Sequence, residues 1–282
     1  MRHPWCAAAF SPGQFMSKIT SGKLASVLGL AAFLTLAGCA TPPPDDDPDA
    51  VADFKQTNDP LEPMNRDLFQ FNDWLYENGL TPAAKVYRAI LPRWGRDRVA
   101  DFLANLRSPV ILINDILQGN FTRGGVTITR FVLNSTFGVG GIMDVSTPMG
   151  IPGHVADVGE TLAVWGAGDG FYLVLPLFGP SNLRDGAGLG IESTLDPLSY
   201  YLDDNRMRWL ATTRFLASGL SAYESYMDNL EDVKRTSLDY YSAMRSLSRQ
   251  RRAAQIDDAK TGAWAPKDVT KLQQPAKQDP TK

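Results

Sequence analysis

After residue 39 the chain contains no run of about 18 consecutive apolar residues, and this constrains the fold more than any motif does. A helix that crosses a bilayer needs such a run. The regular alternation of apolar and polar residues that marks an outer-membrane barrel is missing as well. Yet 44% of the residues are hydrophobic. Those residues must fill a soluble core, or cover a helical body that lies in or on one leaflet. The net charge of −3 is too near neutral for a dedicated nucleic-acid binder, so no nucleic-acid partner is expected. Two Cys and two His are too few for a disulfide framework or a zinc site of the usual kind.

The N-terminal stretch reads as an address. Lys18 and Lys23 precede the apolar run Leu24–Leu36, which is short for a membrane span and suits the h-region of a secretory signal. The run ends in Leu36-Ala37-Gly38-Cys39. This resembles the bacterial lipobox, in which a peptidase cuts before the Cys and the thiol receives a diacylglycerol. Residues 1–38 are therefore read as a lipoprotein signal peptide and Cys39 as the lipid attachment site. His3, Pro4 and Pro12 interrupt the pattern, so Met16 is the more natural start. Ala40 follows the Cys where Asp would mark retention in the inner membrane, which points to the outer membrane. A lipobox Cys carries up to three acyl chains, and two already anchor stably. Cleavage removes Arg2, Lys18, Lys23 and no acid, so the net charge moves from −3 to −6. Cys39 and His154 are then the remaining Cys and His.

Residues 39–56 read as a tether, stiff at Pro42-Pro43-Pro44 and charged at Asp45-Asp46-Asp47-Pro48-Asp49. Residues 57–255 read as one helical domain. Met64, Leu68, Phe71 and Leu75 predict a helix over Pro63–Asn78 that Gly79 stops. Thr81 and Pro82 restart a helix that Pro92 ends. Asp97–Arg107 is amphipathic, and Ser108-Pro109 opens a separate helix to Gly119 whose run Val110-Ile111-Leu112-Ile113 is apolar all round. Thr122–Phe137 suits a helix, although Thr127-Ile128-Thr129 has strand propensity. Asp157 caps a short helix to Trp165, stopped by Gly166. By pattern alone Tyr172–Leu175 is a strand. Ser181 caps a helix that ends before Pro197, and Asp203 or Asp204 opens a long helical region to about Arg252, broken at Gly219. The basic residues Arg245, Arg249, Arg251 and Arg252 read as a solvated face. Residues 256–282 read as a disordered tail, rich in Lys, Gln and Pro.

Motifs of chemistry are weak. Gly179-Pro180-Ser181-Asn182-Leu183 lacks the Gly that a nucleophile elbow needs after its Ser. His154 follows Pro152-Gly153 and reads as an exposed loop residue. With one His and no free thiol, a metal site would rest on carboxylates. Gly166-Ala167-Gly168-Asp169-Gly170 follows a helix, not the parallel strand of a dinucleotide fingerprint. No catalytic residue, metal ligand or cofactor is assigned.

The ordered motifs carry more. Asn58-Asp59-Pro60-Leu61-Glu62, Asn65-Arg66 and Phe69-Gln70-Phe71-Asn72 are followed by Leu117-Gln118-Gly119-Asn120, Thr129-Arg130-Phe131 and Leu133-Asn134. Then come Gly138, Gly140-Gly141, Asp144, Trp165-Gly166, Gly168, Gly170, a dense stretch Tyr172–Asp185, and Asp196-Pro197. Behind a lipobox, this combination resembles the MlaA family of VacJ-like lipoproteins over roughly residues 57–250. Two positions depart from it: Glu160 stands in place of Gln, and Asp239-Tyr240-Tyr241 lacks the family's Pro. The resemblance implies an all-α, flat, ring-shaped body in the inner leaflet of the outer membrane, with an amphipathic channel. Phospholipids mislocalised to the outer leaflet would pass through it to a periplasmic lipid carrier, and a trimeric porin would bind the ring. Under that resemblance the strand at Tyr172–Leu175 yields to a helical fold. Gly166, Gly168, Gly170, Pro176 and Gly179 are the candidates for a channel wall or gate. Val110, Ile111 and Ile113 are the candidates for a lipid-facing rim. A membrane-anchored lipid hydrolase and a structural outer-membrane scaffold remain the alternatives.

Overall fold

The computed structural model describes residues 57–204 and 206–263. The signal peptide, the lipobox Leu36-Ala37-Gly38-Cys39, the tether to residue 56 and the tail beyond residue 263 lie outside the described residues. In chain order the elements are α1 (Glu62–Leu75), a π-helical turn (Tyr76–Leu80), α2 (Thr81–Ile90), α3 (Arg93–Leu117), α4 (Phe121–Thr136) and α5 (Val158–Val164). Then follow β1 (Tyr172–Leu175), β2 (Gly179–Asn182), α6 (Leu183–Leu195), α7 (Pro197–Asp204), α8 (Arg208–Thr236) and α9 (Tyr240–Thr261). The fold is mostly helical, as the sequence implies. Among the described residues no helix is long and apolar enough to cross a membrane.

Several expected boundaries shift, each for a local reason. Gly79 does not stop α1. It lies in the π turn, where the Thr81 amide reaches back to the Tyr76 carbonyl and the helical run continues into α2. Pro109 does not open a new helix. It sits inside the 25-residue α3, because Asn105, Val110 and Asn114 are buried around it and packing outweighs one lost backbone bond. Ser181 belongs to β2, and the α6 cap is Asn182, whose Oδ1 accepts from the Asp185 amide at 2.8 Å. A region expected to open at Asp203 or Asp204 instead begins at Pro197 as α7, and α8 starts at Arg208. Gly219 leaves α8 unbroken, since no atom crowds it and it keeps out of the left-handed region. The break falls at Ser237-Leu238-Asp239, where Asp239 caps α9. Finally α9 runs to Thr261 and ends on Gly262 at φ 73°, so residues 256–261 are helix and not tail.

The pattern-based strand is present, and the all-helical reading of that segment is corrected. β1 pairs antiparallel with β2, Tyr172 opposite Asn182 and Leu175 opposite Gly179. A lone two-stranded hairpin is marginal in water. Here α1 supplies what a third strand would. Asn65 donates Nδ2 to the Tyr172 carbonyl at 3.1 Å and accepts from the Val174 amide at 2.9 Å. Two turns on, Asn72 repeats this with the Leu175 carbonyl (2.9 Å) and the Leu177 amide (2.8 Å). Two side chains on one helix face thus close the open strand edge. Beneath lies a small apolar core of Tyr172, Val174 and Tyr241, with Leu68 and Phe69 against it.

At the α5–α6 crossing, Gly188 meets Gly159 backbone to backbone. A Cβ on Gly188 would fall 2.5 Å from the Gly159 nitrogen. Gly188→Ala should push the helices apart and cost about 1–3 kcal/mol, as overpacking usually does. Thermal denaturation in detergent checks this; an unchanged midpoint would show that the crossing yields freely.

Candidate functional site

Burial in this molecule is inverted. Of the nine largest fully buried side chains among the described residues, eight are polar: Arg123, Glu160, Asn65, Asn72, Asn114, Thr161, Asp115 and Ser146. Meanwhile large apolar residues lie open on almost every helix. Trp94 is 71% exposed, Phe121 77% and Trp209 64%, and Trp74, Trp165, Ile128, Val132 and Phe215 join them. Exposed apolar surface on this scale marks a surface that meets membrane or partners. Exposed Trp suits a membrane–water boundary, where its ring is apolar and its N–H is wet.

The polar interior is built by α3, α4 and α5. Asn114, Asp115 and Gln118 come from the last turns of α3. Asn120 caps α4, accepting from the Arg123 amide, and so brings Arg123 into the first turn of α4. Asp157 caps α5 and places Glu160 and Thr161 opposite. Arg123 Nη1 lies 3.1 Å from Glu160 Oε1, its Nε 3.8 Å from Asp115 Oδ1, and its Nη2 donates to the Val155 carbonyl at 2.7 Å. Gln118 donates to Thr161 at 3.0 Å, and Thr161 to Asn114 at 2.8 Å. Thr127 donates to Asp115 Oδ2 at 2.7 Å. Burial pushes the Glu160 carboxyl up to about 7, although Arg123 beside it pulls the other way.

His154 is not an exposed loop residue. Its side chain is buried, with Nε2 2.9 Å and 3.0 Å from the two Asp115 carboxylate oxygens. It belongs to the same network. Composition marked its loop correctly, but the carboxylate that draws the ring inward is 39 residues away in sequence.

The basic residues of α9 are only in part a solvated face: Arg249 and Arg251 are exposed, whereas Arg245 and Arg252 turn inward. Arg252 grips two helix starts, bonding both oxygens of Asp157 at 2.7 Å and both of Asp185 at 2.9 Å. Arg245 donates to the buried Asp59 at 2.8 Å, Tyr241 donates to the same carboxylate, and Arg249 donates to the Thr57 carbonyl. Asp59 also accepts from Asn65 at 2.7 Å. The Asn58-Asp59-Pro60 motif therefore anchors the C-terminal helix. The missing Pro after Asp239 leaves its role intact: Asp239 caps α9 and pairs with Arg66 at 2.7 Å, which holds its carboxyl well below the usual range.

The candidate rim and gate residues fall as follows. Val110 is 4% exposed and faces the protein, which corrects its placement on a lipid-facing rim. Ile111 and Ile113 are half-buried. Apolar exposure on α3 lies instead at Trp94, Phe102, Ile116 and Leu117. Gly166 (φ 96°) ends α5, and it and Gly168 have open space around them. From Asp169 the segment is pinned. Arg184 pairs with Asp169, Asn58 donates to the Gly170 carbonyl at 2.6 Å, and a Cβ on Gly170 would strike Leu183. Pro176 sits in the hairpin turn and Gly179 opens β2. Among the described residues no group of His, Cys, Asp and Glu is arranged to hold a metal ion.

A mostly helical body with an apolar exterior and a polar interior, and with no spanning helix among the described residues, has the surface of a membrane-associated protein. The profile of the MlaA lipoprotein family matches residues 57–255, and the chain belongs to that family. An uncharacterized protein of Rickettsia bellii is 32% identical over 204 residues, 72% of this chain and 78% of its own length. The intermembrane phospholipid transport system lipoprotein MlaA of Escherichia coli (strain K12) is 30% identical over 231 residues, 80% of this chain and 86% of its own. A chain solved in work on the structural basis for maintenance of bacterial outer membrane lipid asymmetry superposes with a TM-score of 0.61 at 31% identity. It covers 70% of this chain and 98% of the solved one. This is accordingly a membrane-associated lipoprotein of a phospholipid transport family.

Proposed function

We propose that this chain is an outer-membrane lipoprotein, anchored on the periplasmic side through acylated Cys39, whose ring-shaped helical body lies in the inner leaflet. It takes phospholipids mislocalised to the outer leaflet through an amphipathic channel and hands them to a periplasmic lipid carrier, which maintains lipid asymmetry. A trimeric porin holds the ring. The observation that carries this reading is the inverted burial, with charged and amide side chains inside and tryptophans outside. A headgroup crossing about 30 Å of hydrocarbon needs such a polar path. Flow through a path needs no nucleotide, cofactor or catalytic residue. Ile116, Leu117, Phe121 and Trp165 replace Val110 as the rim that meets acyl chains. A gate would move at Gly166 and Gly168, since Gly170 is pinned by Asn58 and Leu183, and Pro176 and Gly179 belong to the hairpin.

Loss of the protein should raise outer-leaflet phospholipid and sensitivity to detergent plus chelator; unchanged surface phospholipid would sink the transport reading. Cys39→Ala should leave the protein unlipidated and absent from outer-membrane fractions. Normal fractionation of that variant would refute the anchor. Ester cleavage by the purified protein that depends on His154 would favour the hydrolase instead. Brominated lipids should quench Trp94 and Trp209 fluorescence; no quenching would place those rings away from acyl chains.

A further inference from the structure

A cavity of about 100 Å³ opens between α3, α4 and the loop that carries His154, and it lies outside the Arg123–Glu160 pairing. Asp101 and Asn105 of α3, Arg130 of α4, and Asp144 and His154 of the following loop are in its wall. The two oxygens that His154 Nε2 meets belong to the carboxylate of Asp115, which only accepts when ionised. Nε2 therefore carries a proton, and a neutral ring in that tautomer presents a lone pair at Nδ1. Nδ1 is buried and takes no hydrogen bond. Asn105 gives Nδ2 to Ser135 at 3.0 Å, and its Oδ1 is likewise buried without a donor. The residue is 5% exposed and the His154 side chain 7%. Asp101 commits Oδ2 to Arg98 and to the Asp144 amide. Its second oxygen appears in neither bond.

The wall is short of donors and not of acceptors. Its one guanidinium, Arg130, is already spent on Asp144 at 2.9 Å, on Thr147 at 3.0 Å and on the Ile151 carbonyl. A phosphate would meet two carboxylates and no free cation. A small cation rich in N–H donors would meet unpaired lone pairs. A primary ammonium has three such donors, whereas a trimethylammonium has none and is wider.

We propose that this cavity is a subsite for a primary ammonium group, and that it makes the protein prefer ethanolamine over choline headgroups. The headgroup assignment rests on the phospholipid reading above. Asn105 and His154 supply buried acceptors, and Asp101, whose Oδ2 pairs with Arg98, offers its second carboxylate oxygen at the wall.

The test uses the full lipidated protein purified in detergent. It is equilibrated with an equimolar mixture of phosphatidylethanolamine and phosphatidylcholine of identical acyl chains, and retained lipid is counted by mass spectrometry. A second arm offers isotope-labelled free ethanolamine to lipid-free protein, read by NMR. Phosphatidylethanolamine should be enriched severalfold. Asn105→Leu should bring the ratio to one with total lipid unchanged. Asp101→Asn, at the more open end of the wall, should do the same if Asn105→Leu fails to fold. Binding of free ethanolamine that Asp101→Asn abolishes, without lipid enrichment, would support the ammonium site with a free amine as its source. Equal retention of both lipids and no amine binding would overturn the subsite while leaving transport standing. Retention of no lipid at all would overturn the transport reading and the headgroup assignment with it.

Discussion

Arg123→Leu is expected to lower folding stability by about 3–5 kcal/mol, the usual result of removing one partner from a buried charge network. Arg123 is 2% exposed, and both carboxylates beside it, Asp115 and Glu160, are fully buried. Without the guanidinium, the buried carboxyls of Asp115 and Glu160 lose their cation, Glu160 is driven further toward its protonated form, and the Val155 carbonyl is left unpaired. Leucine fills most of the volume, so the loss is electrostatic and not a cavity effect. Denaturation of the lipoprotein in detergent measures it. Adding Glu160→Gln to the Arg123→Leu background should restore part of the stability at and above neutral pH, because the amide needs no cation beside it and no proton to stay neutral. Additive effects in that double-mutant cycle would show that the two residues do not interact.

Glu160→Gln alone should remove a pH dependence. The Glu160 carboxyl titrates at 4.5 when unperturbed and at about 7 in the folded protein. Between those values the native state holds a proton there that the unfolded state has lost. Stability therefore falls as pH rises through that window, by about 3 kcal/mol once the folded group has ionised. Below 4.5 both states are protonated and the penalty is absent. The amide stays neutral throughout and still offers its oxygen to Arg123 and Gln118. The wild-type unfolding midpoint should fall between about pH 5 and about pH 8 by more than that of the variant. Parallel profiles would show that Glu160 is not the group that titrates. Gln is also the residue that the resemblance to the family leads one to expect here, so the variant tests what the acid adds.

Much of the helical framework was legible because apolar spacing and caps act locally. Asp157 and Gly166 bounded α5 as expected, since a cap and a left-handed glycine need only their own turn. Errors arose where tertiary contacts outweighed local rules. Pro109 and Gly219 look like breaks and are not: buried Asn105, Val110 and Asn114 carry α3 through Pro109, and Gly219 keeps out of the left-handed region within α8. The hairpin was visible as a pattern at Tyr172–Leu175 and was wrongly surrendered to the family's helical character. What stabilises it, the amides of Asn65 and Asn72, is seven residues apart on α1 and some hundred residues from its partners. The polar interior was hidden for a related reason. An Arg, a Glu, an Asp and a His scattered from 115 to 160 share no spacing that links them in the sequence, and only the packing of α3 against α4 and α5 makes them one cluster. Arg245 and Arg252 of α9 are hidden in the sequence likewise, since their acidic partners lie 67 to 186 residues earlier, while Arg249 and Arg251 are exposed as expected.

The grip of α9 on the start of the body sets an order of assembly. Arg245 and Arg249 hold Asp59 and Thr57, the first residues of the described chain, while Arg252 clasps the starts of α5 and α6. A chain secreted from its N-terminus therefore presents Asp59, Asp157 and Asp185 to solvent until its last helix has emerged. The acylation proposed at Cys39 would precede that event, but closure of the body cannot. Truncation before Arg245 should thus leave a protein that is anchored yet unfinished, with unmatched acids at both ends of the structure it was meant to seal.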